Sequence, residues 1–562
     1  MDNTENFVSR CLVELLERHG ITDAVVSPGS RNAPLLVALS RSEITKTTVV
    51  IDERSAAFVA LGIASVSGNP VAIVCTSGTA LLNYAPAVAE AYYRRIPLIV
   101  VSADRPEEWI DQDDSQTLWQ HGALSNYVKR SYDIPAYDTP ENRWYANRII
   151  NDAILCATSG RTAPVHINVQ LRAPLGSMTC NKLPQQRIIN TVFPRTDLTV
   201  ERSRELGRLI ASPRKVMIVC GFHHPDKVLN SAINKLSKMP NIVVLTETLA
   251  NLHGSDFIPA IDATLAVMGE QERQNMAPDV VITMGGALVS RHIKQYLRDI
   301  RPSEHWHVGI TETTIDCFQS LTTRIEMEPS VFFRQLASAV QPHREACDYA
   351  NRWIQVRDRA YATLQGYAAK APWSDMKAFS TFLPMIPRRW NVQYSNGTAI
   401  RYAQLFGNHD YHRCDCNRGV SGIDGCTSTA IGASVAYTSD VTLLITGDMS
   451  AQYDIGALAC QAITPRFKMI VMLNGGGGIF RFVESTRNLD TLEDFFCVGG
   501  NMPLKELAAG YGFSYYEAND ETQLRNVFRS FVSDDSKPAI LAITTPPKDS
   551  ACVLRGFFEL NK

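Results

Sequence analysis

Short runs rich in β-branched residues recur along this chain, each ending in a turn of small residues. Ala24–Ser27 (AVVS) runs into PGSRNAPL, Val71–Cys75 (VAIVC) into TSGTA, and Pro97–Ser102 (PLIVVS) into ADRP. Apolar residues at helical spacing over Asn6–His19 and around Ala56–Ala64 separate them. A parallel strand pair needs a long crossover, and a helix is the usual one, so this cadence predicts an α/β fold with a parallel sheet between helices.

The pattern recurs further on. After Leu171–Thr199, a polar stretch with prolines 174, 184 and 194 that reads as a linker, strands are expected near Lys215–Cys220, Ile242–Thr246 and Val280–Met284. A long mixed-charge helix is expected over Arg344–Lys370, then strands at Trp390–Ser395, Val441–Thr446, Lys468–Leu473 and Ala539–Thr544. A chain of 562 residues exceeds what one hydrophobic core serves, so three α/β units of roughly 150–200 residues are expected.

Composition excludes several classes. With 55 basic and 57 acidic residues the net charge is −2, so no broad basic surface calls for nucleic acid, and any anion must be held by locally placed arginines. No apolar run approaches the ~18 residues of a membrane span, so no membrane insertion is expected. The start, MDNTENFVSR, has no signal-peptide pattern, and 13 scattered cysteines do not suggest a disulfide framework; a cytoplasmic protein is expected.

The segment VTLLITGDMSAQYDIGALACQAITPRFKMIVMLNGGGGIF carries the most chemistry. One strand ends at Gly447-Asp448, a helix is expected over Ser450–Ile463, and a second strand ends at Leu473-Asn474, with 25 residues between Asp448 and Asn474. Both side chains then leave one βαβ unit on the same side, where α/β proteins bind ligands. A carboxylate, an amide oxygen and a carbonyl from glycines 475–478 make an all-oxygen site suited to Mg²⁺ sharing its shell with phosphate. A lone Gly-Asp would read as an ordinary strand-end turn; the paired arrangement is what carries the argument. The glycine run lacks the G-x-G-x-x-G order of a dinucleotide fold. His409, His412, Cys414 and Cys416 are too tightly spaced for an ordinary zinc site, and GVSG lacks the second glycine of a nucleophile elbow.

GDMS with its distant asparagine resembles the diphosphate and metal signature of thiamine diphosphate enzymes. SPGSRNAPL (27–35), DERSAAFVALG (52–62), TSGTA (76–80), ADRP (103–106) and NRGVSGIDG (417–425) narrow the resemblance to the menaquinone-pathway 2-succinyl-5-enolpyruvyl-6-hydroxy-3-cyclohexene-1-carboxylate synthase family. It spans almost the full length and is specific in the first and last thirds.

The resemblance implies a three-domain thiamine diphosphate-binding fold, each domain a mainly parallel sheet flanked by helices: a pyrimidine-binding domain at 1–180, a central domain at 195–345 and a diphosphate-binding domain at 355–562. It implies a transferase that decarboxylates 2-oxoglutarate and adds the remaining four-carbon unit to isochorismate, using thiamine diphosphate with Mg²⁺ or Mn²⁺, as a homodimer or homotetramer. Glu53 matches the catalytic carboxylate that pairs with the aminopyrimidine; outside its motif it would read as a solvated helix start. Glu53, Ile423, Gly447, Asp448, Met449, Ser450 and Asn474 match cofactor contacts, with Asp448, Asn474 and the Gly476 carbonyl as metal ligands. Ile423 alone would read as core. Ser30, Arg31, Arg105, Gln116, Arg291, Arg401, Arg418, Ile479 and Phe480 match substrate contacts; arginine suits them because its planar fork binds a carboxylate through two bonds. Departures fall at Leu473, where the family commonly has asparagine, at Gly456 and at Gly397. An acetolactate synthase-like 2-oxoacid decarboxylase and a non-catalytic cofactor-binding relative are the alternative readings.

Overall fold

The computed structural model describes residues 1–562 apart from 193, 195, 212, 341–346, 408–409, 500–501 and 561–562. Among the described residues are three six-stranded sheets. The first holds β1 (Asp23–Val26), β2 (Lys46–Val49), β3 (Val71–Cys75), β4 (Leu98–Asp104), β5 (Ser131–Ile134) and β6 (Val165–Gln170), in the order β2-β1-β3-β4-β6-β5. The second holds β7 (Val216–Cys220), β8 (Ile242–Thr246), β9 (Phe257–Ile258), β10 (Val280–Met284), β11 (Glu304–Val308) and β12 (Thr323–Ile325), in the order β9-β8-β7-β10-β11-β12. The third holds β13 (Asn391–Tyr394), β14 (Arg413–Cys416), β15 (Thr442–Gly447), β16 (Phe467–Leu473), β17 (Ser514–Ala518) and β18 (Ala539–Thr544), in the order β14-β13-β15-β16-β18-β17. Every described pairing inside these sheets is parallel.

The central strands VAIVC and LIVVSAD are buried at every position. This follows from helices covering both faces, and it explains why these segments read as continuous apolar runs rather than alternating ones. The expected strands lie within one or two residues of the observed ones, and each of the ranges 1–180, 195–345 and 355–562 contains one six-stranded sheet; Asn3–Thr4 and Met178–Thr179 add a two-stranded antiparallel sheet in the first.

Residue contacts divide the chain into two compact units: Met1–Phe193 with Gly419–Thr442 and Ser450–Phe467, and Pro194–Arg418 with Leu443–Met449 and Lys468–Lys562. In the first unit the helix Glu53–Ser67 packs on the helix Cys426–Ala436. Glycines permit the approach: a Cβ on Gly62 would lie 2.0 Å from the Thr429 carbonyl oxygen, and one on Gly432 would lie 1.9 Å from that of Val59. The second unit contains the second and third sheets. There the Gln404 side chain accepts from the Thr248 amide at 2.8 Å, and Asn251 accepts from the Cys414 amide at 2.7 Å.

Two expectations need correction. The helix expected over Ser450–Ile463 is instead a short helix, Asp448–Tyr453, followed by a 3₁₀ segment, Ile455–Ala459. Asp454 interrupts it, because its buried carboxylate accepts from the Ser428 amide at 2.7 Å and from the Ser428 hydroxyl at 2.9 Å. The long helix begins at Tyr349, and 344–346 of its expected start lie outside the described residues. No helix among the described residues is long and apolar enough to cross a membrane.

Candidate active site

In the first unit, functional candidates gather at the carboxyl ends of β1, β3 and β4. The turn after β1 is shaped by the Ser27 hydroxyl, which donates to the Val50 carbonyl at 2.8 Å, and by Asn32, which donates to the Ser27 carbonyl at 2.9 Å. This turn exposes Ser30 and leaves Arg31 half-buried, donating to the Leu171 carbonyl at 3.1 Å. Only glycine fits at position 29, where a Cβ would lie 2.4 Å from that of Thr76. The buried hydroxyls of Thr76 and Ser77 have no hydrogen-bond partner among the described residues. Gly78 (φ +83°) follows, and its amide donates to Gln120 at 2.7 Å.

Arg105 leaves the end of β4 and pairs with Asp114 at 2.8 Å. Burial first, and the Arg105 charge second, pull the Arg31 guanidinium below its usual range, so the two arginines share a neighbourhood. Gln116, exposed and at φ +54°, lies against Gly78.

Glu53 is the first residue of its helix, which Asp52 caps by accepting from the amides of Arg54 and Ser55. It is half-buried at the end of β3: burial first, and the Glu53 carboxylate second, push the Cys75 thiol up. Ile423 is also half-buried in this unit, and its carbonyl accepts from the Ser450 hydroxyl at 2.7 Å.

In the second unit, β15 and β16 end side by side. The Asp448 carboxylate accepts from the Met449 amide and from the Gly476 amide, both at 2.8 Å. Glycines 475, 476 and 477 all have positive φ (76°, 73° and 57°), and a Cβ on Gly476 would lie 2.4 Å from the Gly499 nitrogen. That turn exists because the sequence is glycine there. Asn474, 3% exposed, donates through Nδ2 to Asp375 at 2.8 Å. Nothing lies within 4 Å of a Cβ placed on Gly447, and a Cβ on Gly477 would lie 3.2 Å from the Met449 sulfur.

Asp448, Asn474 and the Gly476 carbonyl are thus oxygen donors drawn to one turn, a set that fits a hard divalent cation. The turn is braced from behind. Arg481 donates to the carbonyls of Asn474 (3.3 Å), Gly475 (3.3 Å) and Gly476 (3.0 Å), and its fork grips Glu493 at 3.0 and 2.6 Å. One lone pair of the Gly476 carbonyl is therefore already engaged, leaving the other to face a ligand. Ile479 and Phe480, half-buried, belong to the short helix Gly478–Phe482 that begins in the glycine run.

The same unit brings together Arg291, Arg401 and Arg418. Burial first, then the charges of Arg291 and Arg418, push the Arg401 guanidinium down to about 10, against the pull of Asp262 and Glu247. Arg418 donates to Asn396 at 2.9 Å, while the buried Nε atoms of Arg401 and Arg418 have no partner among the described residues. Glu247, fully buried, accepts from the amides of Val289 and Ser290 at 2.7 Å each, and burial pushes its carboxyl up to about 7. Three guanidiniums against two carboxylates leave surplus positive charge where Arg401 and Arg418 are partly buried and Arg291 stands at the exposed edge. Chemically this is a seat for a carboxylate.

The candidates therefore fall into two groups. Glu53, Ser30, Arg31, Arg105, Gln116, Ile423 and Ser450 lie in the first unit; Gly447, Asp448, Met449, Asn474, Gly476, Arg291, Arg401, Arg418, Ile479 and Phe480 lie in the second. Cys414 and Cys416 are buried on β14, and His409 lies outside the described residues. No group of three or more His, Cys, Asp or Glu among the described residues could hold a metal. Sequence reasoning missed Asp375, Arg481, Gln120 and Glu247. Arg481 could have been found, three residues past the glycine run; Asp375 lies 99 positions from Asn474 with no local signal.

Residues 7–124 match the family model described as the thiamine pyrophosphate enzyme, N-terminal TPP binding domain, and residues 206–379 match the middle domain of thiamine pyrophosphate enzymes. Over 555 residues the chain is 41% identical to the 2-succinyl-5-enolpyruvyl-6-hydroxy-3-cyclohexene-1-carboxylate synthase of Porphyromonas gingivalis, covering 97% of this chain and 96% of the relative. Proteins of the same name from Flavobacterium psychrophilum and Bacteroides fragilis are 38% and 36% identical, each over 98% of both chains.

Proposed function

Because the chain belongs to the 2-succinyl-5-enolpyruvyl-6-hydroxy-3-cyclohexene-1-carboxylate synthase family of thiamine pyrophosphate enzymes, we propose that it decarboxylates 2-oxoglutarate and adds the remaining four-carbon unit to isochorismate in menaquinone biosynthesis. Thiamine diphosphate, when bound, supplies the acyl-anion chemistry by which a 2-oxo acid loses CO₂ and its remainder adds to an unsaturated ring. This chain's own residues bind, orient and move protons.

Asp448, Asn474 and the Gly476 carbonyl would hold Mg²⁺ or Mn²⁺, which would help bind the diphosphate, and Gly447, Met449 and Ser450 would contribute to the cofactor contacts. Ile423 would supply an apolar contact to the bound cofactor. Glu53 would hold a proton at the aminopyrimidine nitrogen of the bound cofactor; a positioned carboxyl of this kind contributes roughly 10²–10⁴ in rate. Arg31 and Arg105, with Ser30 and Gln116, take one set of substrate carboxylates. Arg291, Arg401 and Arg418 take another, against the apolar wall of Ile479 and Phe480.

One observation carries the substrate reading: an arginine cluster in which burial first, and the charges of Arg291 and Arg418 second, push Arg401 down to about 10. A small apolar 2-oxo acid gives no reason to gather three guanidiniums around a partly buried site, whereas substrates with several carboxylates relieve that repulsion.

The domain division 1–180, 195–345 and 355–562 remains our assignment. We assign a homodimer or homotetramer in which protomers complete each other's sites. The side chains flanking Glu53 support it: Val49 is 52% and Ile51 81% exposed, large apolar groups in want of cover. All thirteen cysteines are free thiols, which supports a reducing, cytoplasmic location.

The test is CO₂ release from 2-oxoglutarate with and without isochorismate, thiamine diphosphate and Mg²⁺, for wild type and Glu53→Gln. The variant is expected to retain cofactor binding and lose carboligation. Equal turnover of pyruvate alone would refute the substrate assignment, and wild-type turnover by Glu53→Gln would remove Glu53 from the chemistry.

A further inference from the structure

We propose that Asp375 is a positioning residue for the metal: its buried carboxylate dictates which end of the Asn474 amide faces the cation. The inference rests on the reading of Asn474 as a metal ligand.

Asp375 opens the helix Asp375–Phe382 and is 2% exposed. Three other pieces of chain converge on it. One carboxylate oxygen takes the Asn474 Nδ2 at 2.8 Å, from the end of β16. The other takes the Thr545 hydroxyl at 2.5 Å, just past the end of β18. The Asp375 amide donates to the Ser550 hydroxyl at 2.9 Å, on the helix Pro547–Glu559. The carboxylate is therefore held from the ends of β16 and β18, beside the helix Pro547–Glu559 whose Pro547 packs against Gly475, and its place in the first turn of a helix favours the anion.

Burial pushes the Asp375 carboxyl up and the hydrogen bonds from Thr545 and Asn474 oppose that; both of its oxygens are placed as acceptors, whereas an asparagine amide has one accepting end and one donating end. Against Asp375 only the NH₂ end is tolerated, since the reverse orientation would set two acceptors face to face at 2.8 Å. With Nδ2 fixed, Oδ1 is turned away from Asp375, and Oδ1 is the end a hard cation binds. Gly478 leaves the space this needs, because a Cβ there would lie 2.9 Å from Nδ2 and 3.4 Å from Oδ1. Orientation matters more in this chain, where Leu473 stands in place of a second strand-end asparagine and a single amide is on offer.

The experiment is Mn²⁺ titration of the full-length protein with thiamine diphosphate present, free Mn²⁺ being read by electron paramagnetic resonance. Wild type, Asp375→Asn, Asn474→Ala and the double variant are compared, with thermal unfolding without metal as the control. Asp375→Asn offers either amide end to Asn474, so Mn²⁺ affinity is expected to fall roughly 10- to 100-fold. In the double variant it should fall no further than in Asn474→Ala alone, because a residue acting through Asn474 has nothing left to orient. Should Asp375→Asn fail to fold, Thr545→Val loosens the same carboxylate and is expected to cost severalfold in Mn²⁺ affinity, again only while Asn474 is present. Asn474→Ala within twofold of wild type would overturn the ligand reading itself. Loss in Asn474→Ala with none in Asp375→Asn, or losses that multiply in the double variant, would leave that reading standing and overturn the role of Asp375.

Discussion

Replacing Arg401 with methionine should raise the KM for substrate while leaving the protein at least as stable. Its guanidinium is pushed down from 12.5 to about 10. At about 1.4 kcal/mol per tenfold step, keeping it charged in its buried place, with Arg291 and Arg418 close by, costs roughly 3 kcal/mol. Methionine fills a similar volume without charge, so stability without substrate should stay level or rise by up to that amount. A substrate carboxylate loses charge-assisted bonds worth roughly 1.5–3 kcal/mol, which is roughly 10- to 150-fold in KM for one of the two substrates. Steady-state kinetics with each substrate varied in turn, beside thermal unfolding without substrates, reads both effects. Two outcomes would refute the reasoning: both KM values within twofold of wild type, or a clearly lower unfolding temperature. The first would mean that the cluster does not receive carboxylate, the second that Arg401 is a structural strut rather than a held-back binding group.

Other expectations can be checked in the same protein. Glu247 titrates near 4.5 when unfolded but about 7 when folded, so the folded state binds more protons between those values. Its contribution is complete below about pH 4.5 and declines as pH rises to about 7, by up to roughly 3 kcal/mol. Denaturant titrations of wild type and Glu247→Gln across that window should show the difference moving steadily against wild type, and a constant difference would contradict it. Gly432→Ala drives a methyl to within 1.9 Å of the Val59 carbonyl oxygen and should destabilise by roughly 1–3 kcal/mol or more. Gly366→Ala, in the helix Tyr349–Lys370 where a Cβ meets nothing within 4 Å, should stabilise by roughly 0.5–1 kcal/mol. Equal melting shifts in the two glycine variants would show that the close helix contact is not limiting.

Much of this architecture was legible in one dimension, for a physical reason. A strand buried on both faces must be apolar and β-branched throughout, so VAIVC, VMIVC and AILAIT betray themselves without any partner being known. A strand-end turn that must approach a ligand closely needs glycine, so GDMS and NGGGG mark the carboxyl edge of the third sheet. The helix expected over Ser450–Ile463 fails on the same logic inverted: it is broken at Asp454 by a carboxylate whose partner, Ser428, lies 26 positions away. Nothing in the local pattern records that bond.

What only the tertiary structure decided is which charges meet. Arg291, Arg401 and Arg418 are unremarkable among 55 basic residues until folding buries Arg401 beside the other two and pushes it down to about 10. Asp375 becomes relevant only because folding brings it within 2.8 Å of Asn474. Periodicity reports how a residue relates to its own strand or helix. Electrostatics and hydrogen bonding depend on distances of a few ångströms between segments far apart in the chain, and those distances come into being only when each unit folds.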